Sequence, residues 1–115
     1  MGPQPPSYRE TVLLPVGWED KEGNLHKEAE VRPVTGADEL WIGMSPQYAR
    51  HPNDLVYKTL LLSRTVTRLG PKTKLNPGDI GALHALDVRA LEYAVYRLTY
   101  GEENLPEEDP STPGG

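Results

Sequence analysis

Residues 76–101 read NPGDIGALHALDVRALEYAVYRLTYG and carry the signals of two consecutive helices. Asn76, Pro77 and Asp79 have the residue types of an N-cap, a first helical position and an acid at the third position. Short polar side chains there accept hydrogen bonds from backbone N–H groups that a helix start leaves without partners. The first helix is therefore predicted to run from Asn76 to Leu83.

The second helix is predicted to run from Asp87 to Tyr100. Asp87 has the residue type of an N-cap, and Gly101 ends the helix because glycine adopts a left-handed backbone without strain. Apolar residues recur at helical spacing on one broad side: Val88, Leu91, Ala94, Val95 and Leu98. We expect this side to face the core.

A separate arc of the second helix carries three tyrosines. Tyr93, Tyr96 and Tyr100 stand at i, i+3 and i+7, with Arg89 between them and Arg97 near the edge of the arc. Tyr and Arg are enriched at interface hot spots, so we predict that these five side chains bind a partner protein. The alternative is that the rings only close the flanks of a thin core, with their hydroxyls in water.

Two strands are predicted upstream, over Glu10–Trp18 and Leu25–Val34. They flank a polar turn in which Gly23 supplies the positive φ that tight turns need. Pro15 cannot donate to a ladder, so its strand lies at a sheet edge or is bulged there. A lone hairpin is marginal in water and needs a helix packed on one face.

A third, longer helix is predicted between the hairpin and the C-terminal pair. Asn53 or Asp54 can cap it, and it is expected to continue to Leu69, where Gly70 and Pro71 stop it. Leu55, Leu62, Val66 and Leu69 form its predicted apolar stripe.

The segment from Trp41 to Pro52 admits two interpretations. Gly43 and Pro46 limit a helix that begins near Thr35, and Ser45 can equally cap a new helical turn. The predicted fold is α+β: an N-terminal β-hairpin followed by three or four α-helices in a single small domain.

The two ends of the chain are predicted to lie outside this domain. Residues 1–8 read as a disordered lead-in and residues 102–115 as a disordered, acidic, Pro-rich tail, which leaves residues 9–101 as the folded domain. Neither end has the apolar surface needed to offset the entropy of ordering.

Charge and composition narrow the function classes. The net charge is −5, but residues 102–115 hold five acids and no base, so the rest of the chain balances at 12 acids and 12 bases. A neutral body lacks the basic surface that nucleic-acid affinity requires. No apolar run is long enough for a membrane span. The chain has no cysteine, which excludes disulfides and thiolate metal sites.

No catalytic, cofactor or metal site is predicted. His26, His51 and His84 are the only histidines, and no two stand at a helical ligand spacing. The sequence also lacks a serine elbow, a Gly-rich phosphate loop and a zinc-protease signature. The acids around the hairpin turn are explained more simply as a solvated face that protects a sheet edge.

Several short runs follow one another in a recognisable order: Val12–Trp18, Leu25–Glu39, Thr67–Gly70, Leu75–Pro77, Leu86–Asp87 and Arg97–Gly101. In this order they resemble small phage tail assembly proteins, over about residues 10–101. That family occurs in tailed phages and in phage-derived contractile injection systems. The chain departs from it over residues 41–52, where a charged helix is expected, and after Gly101, where the acidic tail has no counterpart.

The resemblance implies an assembly role without catalysis, performed in the cytoplasm of a bacterial host. The predicted function is a chaperone that binds another tail protein, such as the tape measure protein or a baseplate hub protein. The alternative is a structural component retained in the baseplate or tail of the particle. A third class, a small enzyme or lysis factor, would need a pocket that encloses His51 or His84 beside carboxylates. Self-association stays open, because a second copy could bury the off-stripe residues Val56, Leu60 and Leu61 as well as a client could.

Overall fold

The computed structural model describes residues 8–101. Its elements in chain order are β1 (Glu10–Glu19), β2 (Leu25–Val31), α1 (Gly36–Gly43), α2 (Pro46–Arg50), α3 (Asp54–Thr65), β3 (Val66–Leu69), α4 (Pro77–Gly81) and α5 (Ala85–Tyr100). The predicted α+β class with an N-terminal hairpin is confirmed. The described residues contain five helices, two of them only five residues long, and a third strand. The predicted tail over 102–115 and, apart from Tyr8, the lead-in lie outside the described residues.

The three strands form one antiparallel sheet in the order β1-β2-β3, so β1 is an edge strand. Leu13 pairs with Glu28 and Trp18 with His26, which leaves four β1 residues opposite one β2 residue. Pro15 lies inside this bulge. Both options anticipated for Pro15, an edge position and a bulge, are therefore present, because a bulge removes the need for a ladder donor.

The long helix is shorter than predicted. α3 ends at Thr65, and the chain passes directly into β3, where Val66 pairs with Val31 and Leu69 with Ala29. The expectation of a helix to Leu69 was wrong because Thr65-Val66-Thr67 is a β-branched run that favours an extended backbone. Pairing with β2 then gives these residues the hydrogen bonds that a helix would have supplied.

The segment from Trp41 to Pro52 contains a break between two helices. Thr35 caps α1 in a capping box with Asp38. The Ser45 hydroxyl accepts a hydrogen bond from the Tyr48 N–H at 3.2 Å and starts α2. Of the two interpretations, the new helical turn at Ser45 is the one that occurs.

α5 packs on the sheet against β1 and β2. Residues from the sheet, α3, α4, α5 and the link between α4 and α5 form one buried cluster: Val12, Leu14, Ala29, Val31, Leu62, Val66, Leu69, Ile80, Leu83, Leu91, Ala94 and Val95. The predicted core side of α5 is confirmed, with Val88 and Leu98 half-buried at its margin. Leu55 was expected on the core stripe of α3 but is 69% exposed.

The caps of the last two helices differ in how well they were predicted. Asn76 caps α4 as expected, accepting the Asp79 N–H at 3.0 Å. Asp87 does not cap α5: the helix starts at Ala85, and the cap is His84, whose Nδ1 accepts the Leu86 N–H at 3.0 Å. The Asp87 carboxylate is fully buried and is used elsewhere, against β1.

Candidate partner-binding groove

An open groove of about 700 Å³ lies between α3 and α5. We call it the tyrosine groove, because Tyr57, Tyr93, Tyr96 and Tyr100 all line it. The remaining lining residues are Val34, Glu39, Lys58, Leu61, Leu62, Arg89, Glu92 and Val95. Most of this surface is carbon, so the groove can hold an apolar segment while the phenol hydroxyls and a few charges provide polar contacts at its margin.

Helical spacing explains why three tyrosines line the same groove. One side of α5, which carries Leu91, Ala94 and Val95, packs into the core. The adjacent arc of the helix carries Tyr93 and Tyr96, which line the groove. Tyr93 is 54% exposed and Tyr96 is 36% exposed. These rings therefore present apolar surface to solvent that a partner could cover.

The rings contact one another along the groove. The Tyr96 and Tyr100 ring centroids are 4.7 Å apart with the planes tilted by 49°. On the opposite wall, Tyr57 meets Tyr48 edge-on at 5.9 Å. Such contacts restrict ring rotation, so less side-chain entropy is lost when a partner binds.

Tyr57 is the most enclosed of the groove tyrosines. Burial raises the pKa of its phenol, and the negative charge of the nearby Glu39 adds to the rise. The hydroxyl therefore stays protonated at neutral pH and can donate a hydrogen bond to a partner.

Two bases stand at the groove. Arg89 Nη1 donates to Glu92 Oε2 at 2.8 Å, a pair one helical turn apart on the surface of α5. Lys58 is exposed, and none of the carboxylates within residues 8–101 forms an ion pair with it. Lys58 can therefore pair with an acid on a partner without giving up a bond inside the described domain.

Four of the five predicted partner-binding residues line the groove, and one does not. Tyr93, Tyr96, Tyr100 and Arg89 come together there. Arg97 lies outside the lining, and its guanidinium forms an ion pair with Glu10 on β1. Their proposed role in partner binding stays a prediction, and for Arg97 the observed contact is a structural one.

Sequence reasoning missed the opposite wall. Tyr57, Lys58 and Leu61 of α3 line the groove but were not among the predicted site residues. A usable signal existed, because Leu61 lies off the predicted stripe of α3 and so pointed to burial on more than one face. The position of α3 relative to α5 depends on tertiary packing, which the sequence pattern alone does not give.

A polar cluster is centred on Asp38, a buried residue of α1. The fully buried Asp38 accepts hydrogen bonds from Arg32 Nη1 and Nη2 and from Arg64 Nε, each at 2.8 Å. Burial on its own would raise the pKa of Asp38, but the bonds from Arg32, Arg64 and the Thr35 N–H outweigh it and hold the pKa well below its usual range. The Arg64 guanidinium also lies 4.9 Å from the centre of the Trp41 ring. These contacts fasten α1 to α3 and to the end of β2.

The three histidines lie far apart in sequence and have different surroundings. His26 Nε2 lies 2.9 Å from Asp20 Oδ2 in the hairpin turn, His84 caps α5, and His51 is exposed. Within residues 8–101, no three His, Asp or Glu side chains are grouped so as to hold a metal ion. Over the same residues, no helix combines the length and apolar character of a membrane span.

Comparison with known proteins gives no family assignment. No protein-family model, curated protein or solved structure matches this chain.

Proposed function

We propose that this chain is a noncatalytic phage tail assembly factor whose tyrosine groove binds an apolar segment of another tail protein, such as the tape measure protein. The observation that supports this proposal most directly is the convergence of four tyrosines from two helices on one open apolar groove. Aromatic side chains in such a position are typical of protein-recognition surfaces.

The chemistry of the groove suits reversible binding. A chaperone must release its client before the tail is complete, so a modest surface with polar margins is more useful than a wholly aliphatic one. Phenol hydroxyls together with Lys58 and Arg89 supply such margins. The phage tail context comes from the sequence resemblance, and the groove adds a place where the client would bind.

The first test is co-purification from the native gene cluster. The tagged chain should recover a tape measure or hub protein from the lysate and should be missing from finished particles. Abundant recovery in the particles would instead favour the structural alternative, a retained baseplate or tail component. Absence of tail proteins from both samples would contradict the assembly proposal.

A pair of variants tests the groove. The double substitution Tyr93→Ala and Tyr96→Ala should weaken client binding by at least tenfold, since interface hot spots contribute about 2 kcal/mol or more each. The matched control is Tyr8→Ala, because Tyr8 is also half-exposed but does not line the groove. If the double variant lost as much free energy of unfolding as free energy of client binding, the rings would serve the core rather than a partner.

A further inference from the structure

The outer side of α1 carries three apolar side chains that the described part of the chain leaves open to solvent. Leu40 is 64% exposed, Met44 at the C-cap is 74% exposed, and the Trp41 ring is partly exposed. At about 100° per residue these positions share one arc of the helix, on the side away from the buried Ile42. We call Leu40, Trp41 and Met44 the α1 face. None of the three lines the tyrosine groove, so the two surfaces are separate.

A surplus positive charge lies at the Trp41 edge of the α1 face. The single carboxylate of Asp38 pairs with two guanidinium groups, those of Arg32 and Arg64, so this cluster keeps one positive charge. Arg64 is the more exposed of the two bases, and its guanidinium carbon is the one 4.9 Å from the centre of the Trp41 ring. The unbalanced charge therefore adjoins exposed apolar surface.

Arg64 is held in place but keeps donors to offer. Its Nε donates to Asp38 Oδ1 at 2.8 Å, and this is the hydrogen bond that its side chain makes within residues 8–101. The terminal nitrogens Nη1 and Nη2 can therefore donate to a carboxylate from outside the described domain. The bond to Asp38 and the contact with Trp41 restrict the guanidinium, so less side-chain entropy is lost when a partner binds.

The acids that precede Trp41 and Arg64 in their helices do not neutralise this charge. Glu39 lies on the flank of α1 opposite to Trp41, and its side chain lines the tyrosine groove. Asp54 is in the first turn of α3, about 15 Å along the helix from Arg64. Among the described ion pairs, the acid that binds Arg64 is Asp38. A second carboxylate at this edge would complement the surplus charge.

We propose that the α1 face binds an amphipathic helix of another protein, with a carboxylate at the edge of its apolar stripe paired to Arg64. Side chains at i, i+3 and i+4, as in Leu40, Trp41 and Met44, form the ridges by which helices pack on one another. Trp and Arg are enriched at interface hot spots, and a flexible thioether adapts to the shape of its partner. This surface is additional to the tyrosine groove and does not depend on the proposed function.

Binding of a synthetic helix to the full chain tests the proposal. The probe is a peptide of about 15 residues with a leucine stripe bordered by glutamates, and its twin carries glutamine in place of each glutamate. An NMR titration follows the indole N–H of Trp41, with the indole of Trp18 in the hairpin as reference. The glutamate peptide should shift the Trp41 signal saturably, and the twin should bind about fivefold more weakly, as expected for a partly exposed charge pair. Equal affinity for the two peptides would overturn the proposal.

Variants separate the apolar contact from the charge pair. Leu40→Ser should weaken binding of the glutamate peptide about tenfold, because it removes a leucine that the peptide would bury. Leu13→Ser is the matched control, since Leu13 is similarly exposed but lies on β1. Arg64→Gln should bind the two peptides equally well. Equal weakening by the two leucine variants, or a preference for glutamate that survives in Arg64→Gln, would contradict the assignment.

Three further results would each give the surface to a different occupant and overturn the proposal. Loss of peptide binding in the double variant Tyr93→Ala and Tyr96→Ala would place the probe in the tyrosine groove. A shift of the Trp41 signal with protein concentration, in the absence of peptide, would mean that a second copy of the chain covers the α1 face. An equal shift produced by sodium acetate at the same carboxylate concentration would mean that a small anion binds without the apolar contact.

Discussion

The carboxylate of Asp87 accepts a hydrogen bond from the backbone N–H of Gly17 at 2.9 Å, across 70 positions of sequence. Its other oxygen accepts the Val16 N–H at 2.8 Å. Both donors lie in the bulge of β1, where pairing with β2 is interrupted. One buried side chain of α5 therefore supplies the partners that these two amides lack in the sheet, and it fastens the helix to the edge strand.

Replacing Asp87 should be strongly destabilising. Asp87→Ala leaves two amides of the bulge without acceptors, and we expect a loss of about 2–4 kcal/mol in the free energy of unfolding. Chemical denaturation at pH 7 measures this loss. Asp54→Ala is the control, since Asp54 is exposed in the first turn of α3, and its loss should stay below about 1 kcal/mol. Similar losses in both variants would show that the contact with β1 adds little.

Asp38 should contribute stability that depends on pH. Its folded-state pKa is lowered, so the contribution is complete above the ordinary pKa of about 3.9 and declines as pH falls toward the folded value. Asp38→Asn should cost about 2–3 kcal/mol at pH 7, below the range for a fully buried pair because Arg64 is partly exposed.

The pH series checks the assignment to Asp38. The stability gap between wild type and Asp38→Asn should narrow from pH 5 to pH 2.5. Asp20, whose pKa is lowered to about 2 chiefly by its hydrogen bond with His26, titrates in the same range but is present in both proteins. A gap of constant size down to pH 2.5 would mean that the charge of Asp38 is not the stabilising element.

Gly70 should not tolerate a side chain. Its φ is +56°, and a Cβ there would lie 2.7 Å from His26 Cγ and 2.8 Å from His26 Cβ. Strain and overpacking together should cost Gly70→Ala about 2–4 kcal/mol in thermal or chemical unfolding. In Gly81→Ala, by contrast, the added methyl meets no atom within 4 Å, and the change should be neutral or stabilising by up to about 1 kcal/mol. The prediction fails if the two variants unfold alike.

The two arginines of α5 should separate binding from stability. Arg89→Ala is expected to weaken client binding about threefold or more with little change in unfolding, because its pair with Glu92 is exposed. Arg97→Ala removes a partly buried pair with Glu10 and should lower stability by about 1–2 kcal/mol with unchanged client affinity in the folded protein. Co-purification yields and melting curves of the two variants make the comparison; the opposite pattern would refute the assignment.

Local signals predicted the parts of the fold that local contacts build. Asn76 and Asp79 form their capping box within four residues, so the sequence contained the whole interaction. Asp87 was misassigned as a cap because its true partners, Val16 and Gly17, belong to a distant strand. A buried acid that satisfies remote amides looks the same in sequence as one that caps its own helix.

The end of α3 and the facing wall of the groove also depend on contacts between residues that are distant in sequence. The apolar spacing through Val66 to Leu69 indicated a helix. These residues instead pair with β2, because the β-branched run Thr65-Val66-Thr67 favours an extended chain. Helical spacing predicted that Tyr93 and Tyr96 share one arc. It could not predict Tyr57 on the facing wall, because the packing of α3 beside α5 is decided by the whole core.

The contact between Asp87 and β1 also has a consequence for synthesis. The hairpin is translated some 50 residues before α5, and at about 5–20 residues per second this leaves an interval of about 3–10 s. During that interval α5 is absent, so the bulge amides of β1 have no carboxylate to accept their hydrogen bonds. In a newly made chain, the contact between the bulge of β1 and Asp87 is therefore a late step, because its donors and its acceptor are synthesised far apart in time.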